Sequence, residues 1–155
     1  MIPEKYLKFA DIIDGTANTA AFSEHGLGDF SNAISTPMTD TYWPKTDPAT
    51  PDEAVTLCNA INPLDLQFQR VSDVGAPWLQ GYHSTSNYFH VAPPQGRSCM
   101  FPPGRIATTA QSFHTGGVQV ARCDGSTGFV AQTIDLIIWR ALGSRNGGET
   151  VGAPE

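Results

Sequence analysis

Twelve prolines and fifteen glycines occupy 27 of the 155 positions, and that frequency of interruption is what most restricts the fold. Proline fixes φ and removes a backbone donor, and glycine weakens helix and strand interiors, so a chain punctuated this often must be built from short elements joined by turns and ordered loops. Charged residues make up only 15% of the chain, which leaves little material for long solvated helices. Residues 1–155 are expected to form a single globular domain around one core, the usual arrangement for a chain of about this length.

The charge balance removes some partner classes. Nine Lys and Arg against fifteen Asp and Glu give a formal net charge of −6 with no basic run, which argues against nucleic acid and anionic lipid. No stretch approaches the roughly 20 apolar residues of a membrane span, and the start Met1-Ile2-Pro3-Glu4-Lys5 lacks an apolar signal-peptide core. The expectation is a chain without a membrane part. Cys58, Cys99 and Cys123 form no Cys-x-x-Cys pair, so zinc-finger and thioredoxin readings fail on spacing. Cys58 and Cys99 could pair in an oxidising compartment, and Cys123, in an alternating apolar pattern, reads as a buried free thiol.

Along the chain, Pro3 and Glu4 open a short helix through Ala10, and residues 19–23 form a strand candidate. Residues 26–49 read as one long loop, with Phe30, Tyr42 and Trp43 scattered at no helix or strand period. Thr50-Pro51-Asp52-Glu53 is a well-formed helix start, with a Thr cap, Pro at the first position and Glu placed for a capping box; the helix runs on until Pro63. Residues 65–103 read as irregular chain holding short strands. The C-terminal third is clearer. Val118 to Cys123, a turn at Asp124-Gly125-Ser126-Thr127, and Phe129-Val130-Ala131 make a β-hairpin. Thr133 is then read as the cap of a helix whose apolar face is Ile134, Ile137, Ile138, Ala141 and Leu142, ending at Gly143.

Three stretches together resemble a known family. Phe113-His114-Thr115-Gly116-Gly117-Val118 is followed by Cys123-Asp124-Gly125-Ser126, with nine residues between His114 and Asp124, and then by Trp139-Arg140-Ala141-Leu142-Gly143 and Asn146-Gly147-Gly148-Glu149. Ala10-Asp11-Ile12-Ile13-Asp14-Gly15-Thr16-Ala17-Asn18-Thr19 and the segment from Tyr88 to Cys99 add to it. In chain order, 10–19, 88–99 and 113–149, they resemble the DUF1559 family, planctomycete-type pseudopilin-like proteins marked by an H-x9-DG motif. The resemblance implies an α+β, pseudopilin-like globular domain: a small antiparallel sheet with packed helices and long ordered loops. It also implies an extracytoplasmic location. The family's N-terminal pilin helix has no counterpart in this sequence, so the likeness is expected to cover the globular part alone.

His114 and Asp124 are the candidate catalytic residues. They bracket a strand, and a straight strand would hold them some 20 Å apart, so they serve one site only if the chain folds back between them. Otherwise His114 bonds the chain where it enters the sheet and Asp124 makes the hairpin turn. A calcium ion is the candidate cofactor, because it takes carboxylates and carbonyls from Gly-rich loops. Asp124, Ser126, Asn146 and Glu149 supply such oxygens at the two ends of the C-terminal helix, and the tail from Trp139 also resembles the calcium-binding C-terminal loop of major type II secretion pseudopilins. Asp40, Asp47, Asp52 and Glu53 read instead as helix-capping and solvated loop charges. No G-x-S-x-G, H-E-x-x-H, Walker or G-x-G-x-x-G motif occurs. His25, His83, His90 and His114 could converge, but histidines in aromatic-rich loops are more often bonded structurally. Two functions are expected: a structural or interaction domain that binds calcium, and, as its alternative, a small calcium-dependent hydrolase acting on a lactone or ester by metal-assisted water attack. Trp43, Trp78, Tyr82 and Tyr88 allow a third use, contact with a protein or a glycan through aromatic loops.

Overall fold

The computed structural model describes residues 7–70, 72–76, 78–82 and 84–149, and at Trp78 the backbone alone. Its strands are β1 (Ala20–Ser23), β2 (Thr41–Tyr42), β3 (Gln69–Arg70), β4 (Ser98–Phe101), β5 (Arg105–Ala107), β6 (Gly117–Arg122) and β7 (Thr127–Ala131). The helices are α1 (Pro51–Asn59) and α2 (Leu136–Leu142), with three short 3₁₀ turns in the loops. The class is α+β, as expected.

The hairpin β6–β7 forms because its turn chemistry and alternation agree. Gly125 sits at φ +87, a conformation that favours glycine, and its N–H donates to the Arg122 carbonyl. Val118, Val120 and Val130 point inward and are buried, while Gln119 and Phe129 face outward. Strand β1 adds antiparallel to β6 with an irregularity between Ala20 and Phe22, giving a three-stranded antiparallel sheet ordered β1–β6–β7. Helix α2 packs on it. Trp139, Leu142 and Ala110 join the three valines in one core, and the Trp139 indole N–H donates to the Ala92 carbonyl at 2.7 Å.

A second, four-stranded sheet carries the order β3–β2–β4–β5. It is mixed, with β2 and β4 parallel and the other pairs antiparallel. Its core is Tyr42, Ala54, Cys58, Ile61, Cys99, Phe101 and Ala107. Helix α1 starts as its sequence dictates: Thr50 Oγ1 accepts the Glu53 N–H, and the Glu53 carboxylate accepts from the Ala49 N–H. A Cys58–Cys99 disulfide ties α1 to β4. At the other end of α1 the Arg97 guanidinium donates to the carbonyls of Cys58, Asn59 and Ile61, a cation placed where the helix leaves acceptors unpaired. Arg140 of α2 pairs with Asp52 of α1 at 2.7 Å, so the two cores are linked.

Several expectations change. There are two sheets rather than one, and the larger is not purely antiparallel, because β2, inside the stretch read as a loop, inserts between β3 and β4. Its Tyr42 is wholly buried. Asp40 is not a solvated loop charge. It is 1% exposed, accepts from the Thr36 N–H and the Gln69 side-chain amide, and its burial raises its pKa. Asp135, not Thr133, caps α2, its carboxylate accepting from the Ile137 and Ile138 N–H groups. That start leaves Ile137 70% exposed and turns Trp139 inward instead. Cys123 is free but only half-buried, because β6 ends at Arg122. The helix expected from Pro3 falls largely on residues 1–6, outside the described residues; Lys8 is extended and a 3₁₀ turn occupies Phe9–Asp11.

The disulfide closes a 41-residue separation, so breaking it is expected to lower unfolding free energy by about 2–4 kcal/mol. Urea unfolding of wild type against Cys58→Ser/Cys99→Ser measures it, and an unchanged midpoint would contradict the stapling role.

Candidate functional site

At one end of the molecule three loops distant in sequence are bonded to one another. The loop following the Phe9–Asp11 turn contributes Asp14, whose two carboxylate oxygens accept from the Gly147 and Gly148 N–H groups at 2.8 and 2.9 Å. These bonds hold the Asp14 carboxyl below its ordinary pKa, Gly147 contributing most. The Ile13 and Asp14 N–H groups both donate to the Arg145 carbonyl, and the Arg145 guanidinium returns a bond to the Asp11 carbonyl. Thr19 Oγ1 reaches the Gly15 and Ser144 carbonyls. From the other side, the Cys123 and Asp124 N–H groups donate to the Thr19 and Thr16 carbonyls. The 11–19 loop is therefore a clasp between the β6–β7 turn and the tail after α2.

Beside the clasp opens a cleft of about 460 Å³. Leu7, Phe9, Ile12 and Ala20 supply its apolar wall, Lys8 and Arg145 its cations, and Cys123 lines the same space. Leu7, Phe9 and Ile13 are 60%, 76% and 69% exposed, so this end presents apolar side chains to solvent.

A second junction holds α2 from below. The His90 ring stacks on Trp139 with centroids 3.8 Å apart, and its Nδ1 lies 2.6 Å from the Trp139 carbonyl, which makes Nδ1 the protonated, donating nitrogen. Gly143 passes so close that a Cβ there would meet the His90 ring. Burial pushes His90 down to about 4. Arg140 donates to the Val91 carbonyl through Nε and Nη2.

His114 and Asp124 end up at opposite ends of β6. The six-residue strand separates them by about 20 Å. His114 Nε2 lies 3.3 Å from Glu24 Oε1, while Glu24 Oε2 accepts the Gln119 N–H. Asp124 Oδ1 accepts from both the N–H and the hydroxyl of Ser126, bonds that lower its pKa, the hydroxyl contributing most. Of the four expected calcium ligands, Asp124 and Ser126 lie in the hairpin turn, and Asn146 and Glu149 in the tail, on either side of the Asp14 loop. Among the described residues no three or more His, Cys, Asp or Glu side chains are grouped to hold a metal ion. The histidines do not converge as a catalytic cluster: His90 is bonded under α2, His114 to Glu24, and His25 Nδ1 to the Gly26 carbonyl, with His83 outside the described residues. Nor do the aromatic loop residues make one platform. Arg70 covers the Trp43 ring at 3.6 Å, Tyr88 packs against the Trp139 core, Tyr82 is half-exposed, and the Trp78 side chain lies outside the described residues.

The family described as a protein of unknown function (DUF1559) matches residues 1–136. The chain belongs to the DUF1559 family. No curated protein and no solved structure matches it. The match ends at the first residue of α2, so Trp139, Arg145, Gly147 and Gly148, to which His90, Asp11 and Asp14 are bonded, lie beyond it. Among the described residues no helix is long and apolar enough to cross a membrane. Asp14 is the site residue that sequence reasoning passed over. Its signal was present in the Asp-Gly-Thr of the 11–19 segment, but nothing in the sequence says that this carboxylate meets a Gly-Gly pair 133 residues away.

Two predictions follow from these junctions. Unfolded His90 takes up a proton near its ordinary 6.5 and folded His90 only near 4, so the His90 contribution to stability is fully present above pH 6.5 and is lost as the pH falls from 6.5 to 4. The His90 contribution is on the order of 3 kcal/mol. His25, also lowered by burial, acts in the same direction. Denaturant unfolding across that window should show a smaller decline in His90→Gln. In Asp14→Ala, hydrogen exchange at the Gly147 and Gly148 amides should accelerate while the β6 and β7 amides stay protected; unchanged tail exchange would remove the clasp role.

Proposed function

We propose that this domain is a pseudopilin-like structural and interaction module whose working end is the clasped one. The observation that carries the reading is the Asp14 clamp on Gly147 and Gly148. It joins the tail to the 11–19 loop, and that loop in turn bonds the hairpin turn, so the end that exposes Leu7, Phe9 and Ile13 is braced. A braced apolar surface suits a module that is gripped by a partner, because little conformational freedom is lost on contact. The disulfide supports use in an oxidising compartment.

Calcium is the finer part of this reading, with Asp124 and Ser126 of the hairpin turn and Asn146 and Glu149 of the tail as the oxygens that would hold it. Asp124 Oδ1 accepts from Ser126 and both Asp14 oxygens accept from backbone N–H groups, and among the described residues no three His, Cys, Asp or Glu side chains are grouped. The calcium-dependent hydrolase is the alternative, and it would draw on His114 and Asp124, which face different ends of β6. Melting curves with calcium and with EDTA, together with turnover of a lactone and ester panel on the same samples, separate the readings. The module reading expects no turnover in either sample. Turnover that EDTA abolishes and Asp124→Ala removes would replace it with the hydrolase.

A further inference from the structure

The cleft beside the clasp combines an apolar wall, of which the module reading uses only Leu7 and Phe9, with two cations that it does not use. One wall is apolar, made by Leu7, Phe9, Ile12 and Ala20, and two cations, Lys8 and Arg145, stand in the same lining. Among the described residues the ion pairs are Arg105–Asp47, His114–Glu24 and Arg140–Asp52. Neither Lys8 nor Arg145 takes part in one. The nearest carboxylates are engaged by backbone instead: Asp11 accepts the Lys8 N–H and Asp14 accepts the Gly147 and Gly148 N–H groups, so neither cation's side chain is tied to one of them. Arg145 is also held in place: its Nη1 donates to the Asp11 carbonyl at 3.0 Å, which leaves the other guanidinium donors for a second acceptor. The cleft volume, about 460 Å³, lies within the roughly 300–1,000 Å³ usual for small-molecule sites.

We propose that this cleft binds a small amphiphilic carboxylate, with its head group on Arg145 and Lys8 and its aliphatic tail along Leu7, Phe9, Ile12 and Ala20. A free carboxylate of medium chain length matches both features. A neutral alcohol of the same length matches only the wall, and inorganic phosphate only the cations. The proposal shares Leu7 and Phe9 with the module reading but does not rest on it, since it concerns a ligand in the cleft and not what grips that end.

The protein carries its own reporter. Cys123 lines the cleft, and with Cys58 and Cys99 joined it is the one free cysteine. Decanoate, below its micelle threshold, should slow iodoacetamide alkylation of Cys123 severalfold and saturably, with decanol and phosphate giving little protection. Calorimetric titration with the same three probes gives a readout that does not depend on thiol access. Lys8→Gln and Arg145→Gln should each weaken decanoate binding about tenfold. Arg145→Lys, which keeps a charge, controls for loss of the Asp11 bond, and melting curves confirm that each variant is folded. No saturable heat with decanoate, equal binding of decanol, or binding unaffected by both Gln substitutions would each overturn the proposal.

Discussion

Buried loop backbone has to find hydrogen-bond partners, and in a chain with so few regular elements it finds them in other loops' backbone and in many side chains. Gln95 is the clearest case. Its side-chain amide donates to the carbonyls of Ser112, His114 and Gly117, and its carbonyl oxygen accepts the Ser112 N–H. One residue thereby holds the whole approach to β6. Arg97 does the same for the end of α1, and the Ser72 hydroxyl accepts the Thr41 N–H while donating to the Thr39 carbonyl. The two hydrophobic cores are small, and these bonds decide how the loops between them run.

That constraint changes the meaning of the H-x9-DG motif. A histidine and an aspartate at fixed spacing invite a catalytic reading, but here the spacing measures a strand. His114 bonds Glu24 where the chain enters β6, and Asp124 organises the turn where it leaves. The histidine of the 88–99 segment and the tryptophan of α2 likewise meet as a stacked pair in the interior. In each instance the chemistry-bearing side chain is engaged with protein, which is why the clasped end and its cleft, rather than the motif residues, make the candidate site.

Legibility followed the range of the interactions. The β6–β7 hairpin and the start of α1 depend on neighbours a few residues away, so Asp124-Gly125 and Thr50-Pro51 announced them. The cap of α2 was misplaced by two residues because Thr133 and Asp135 are both good cap residues, and only the packing of Trp139 selects between them. Tyr42 was invisible as a strand residue because β2 is two residues long, too short for any alternation to register. Asp40 carries no local sign of burial for a related reason: its burial comes from Gln69 and the chain around Thr36 closing over it.

By itself the amino-acid sequence determined a domain of short elements and ordered loops, a C-terminal hairpin followed by a helix, the DUF1559 membership, and a pair of cysteines able to join. All of these are local in origin or preserved as motif order. Only the tertiary structure decided that there are two sheets, that Cys58 meets Cys99, that Asp14 closes on Gly147 and Gly148, and that Lys8, Arg145 and Cys123 share a cleft with an apolar wall. The physical reason is the same for each: these contacts bring together residues separated by tens to more than a hundred positions, and no period or spacing in the chain encodes which distant loop will supply the missing hydrogen-bond partner.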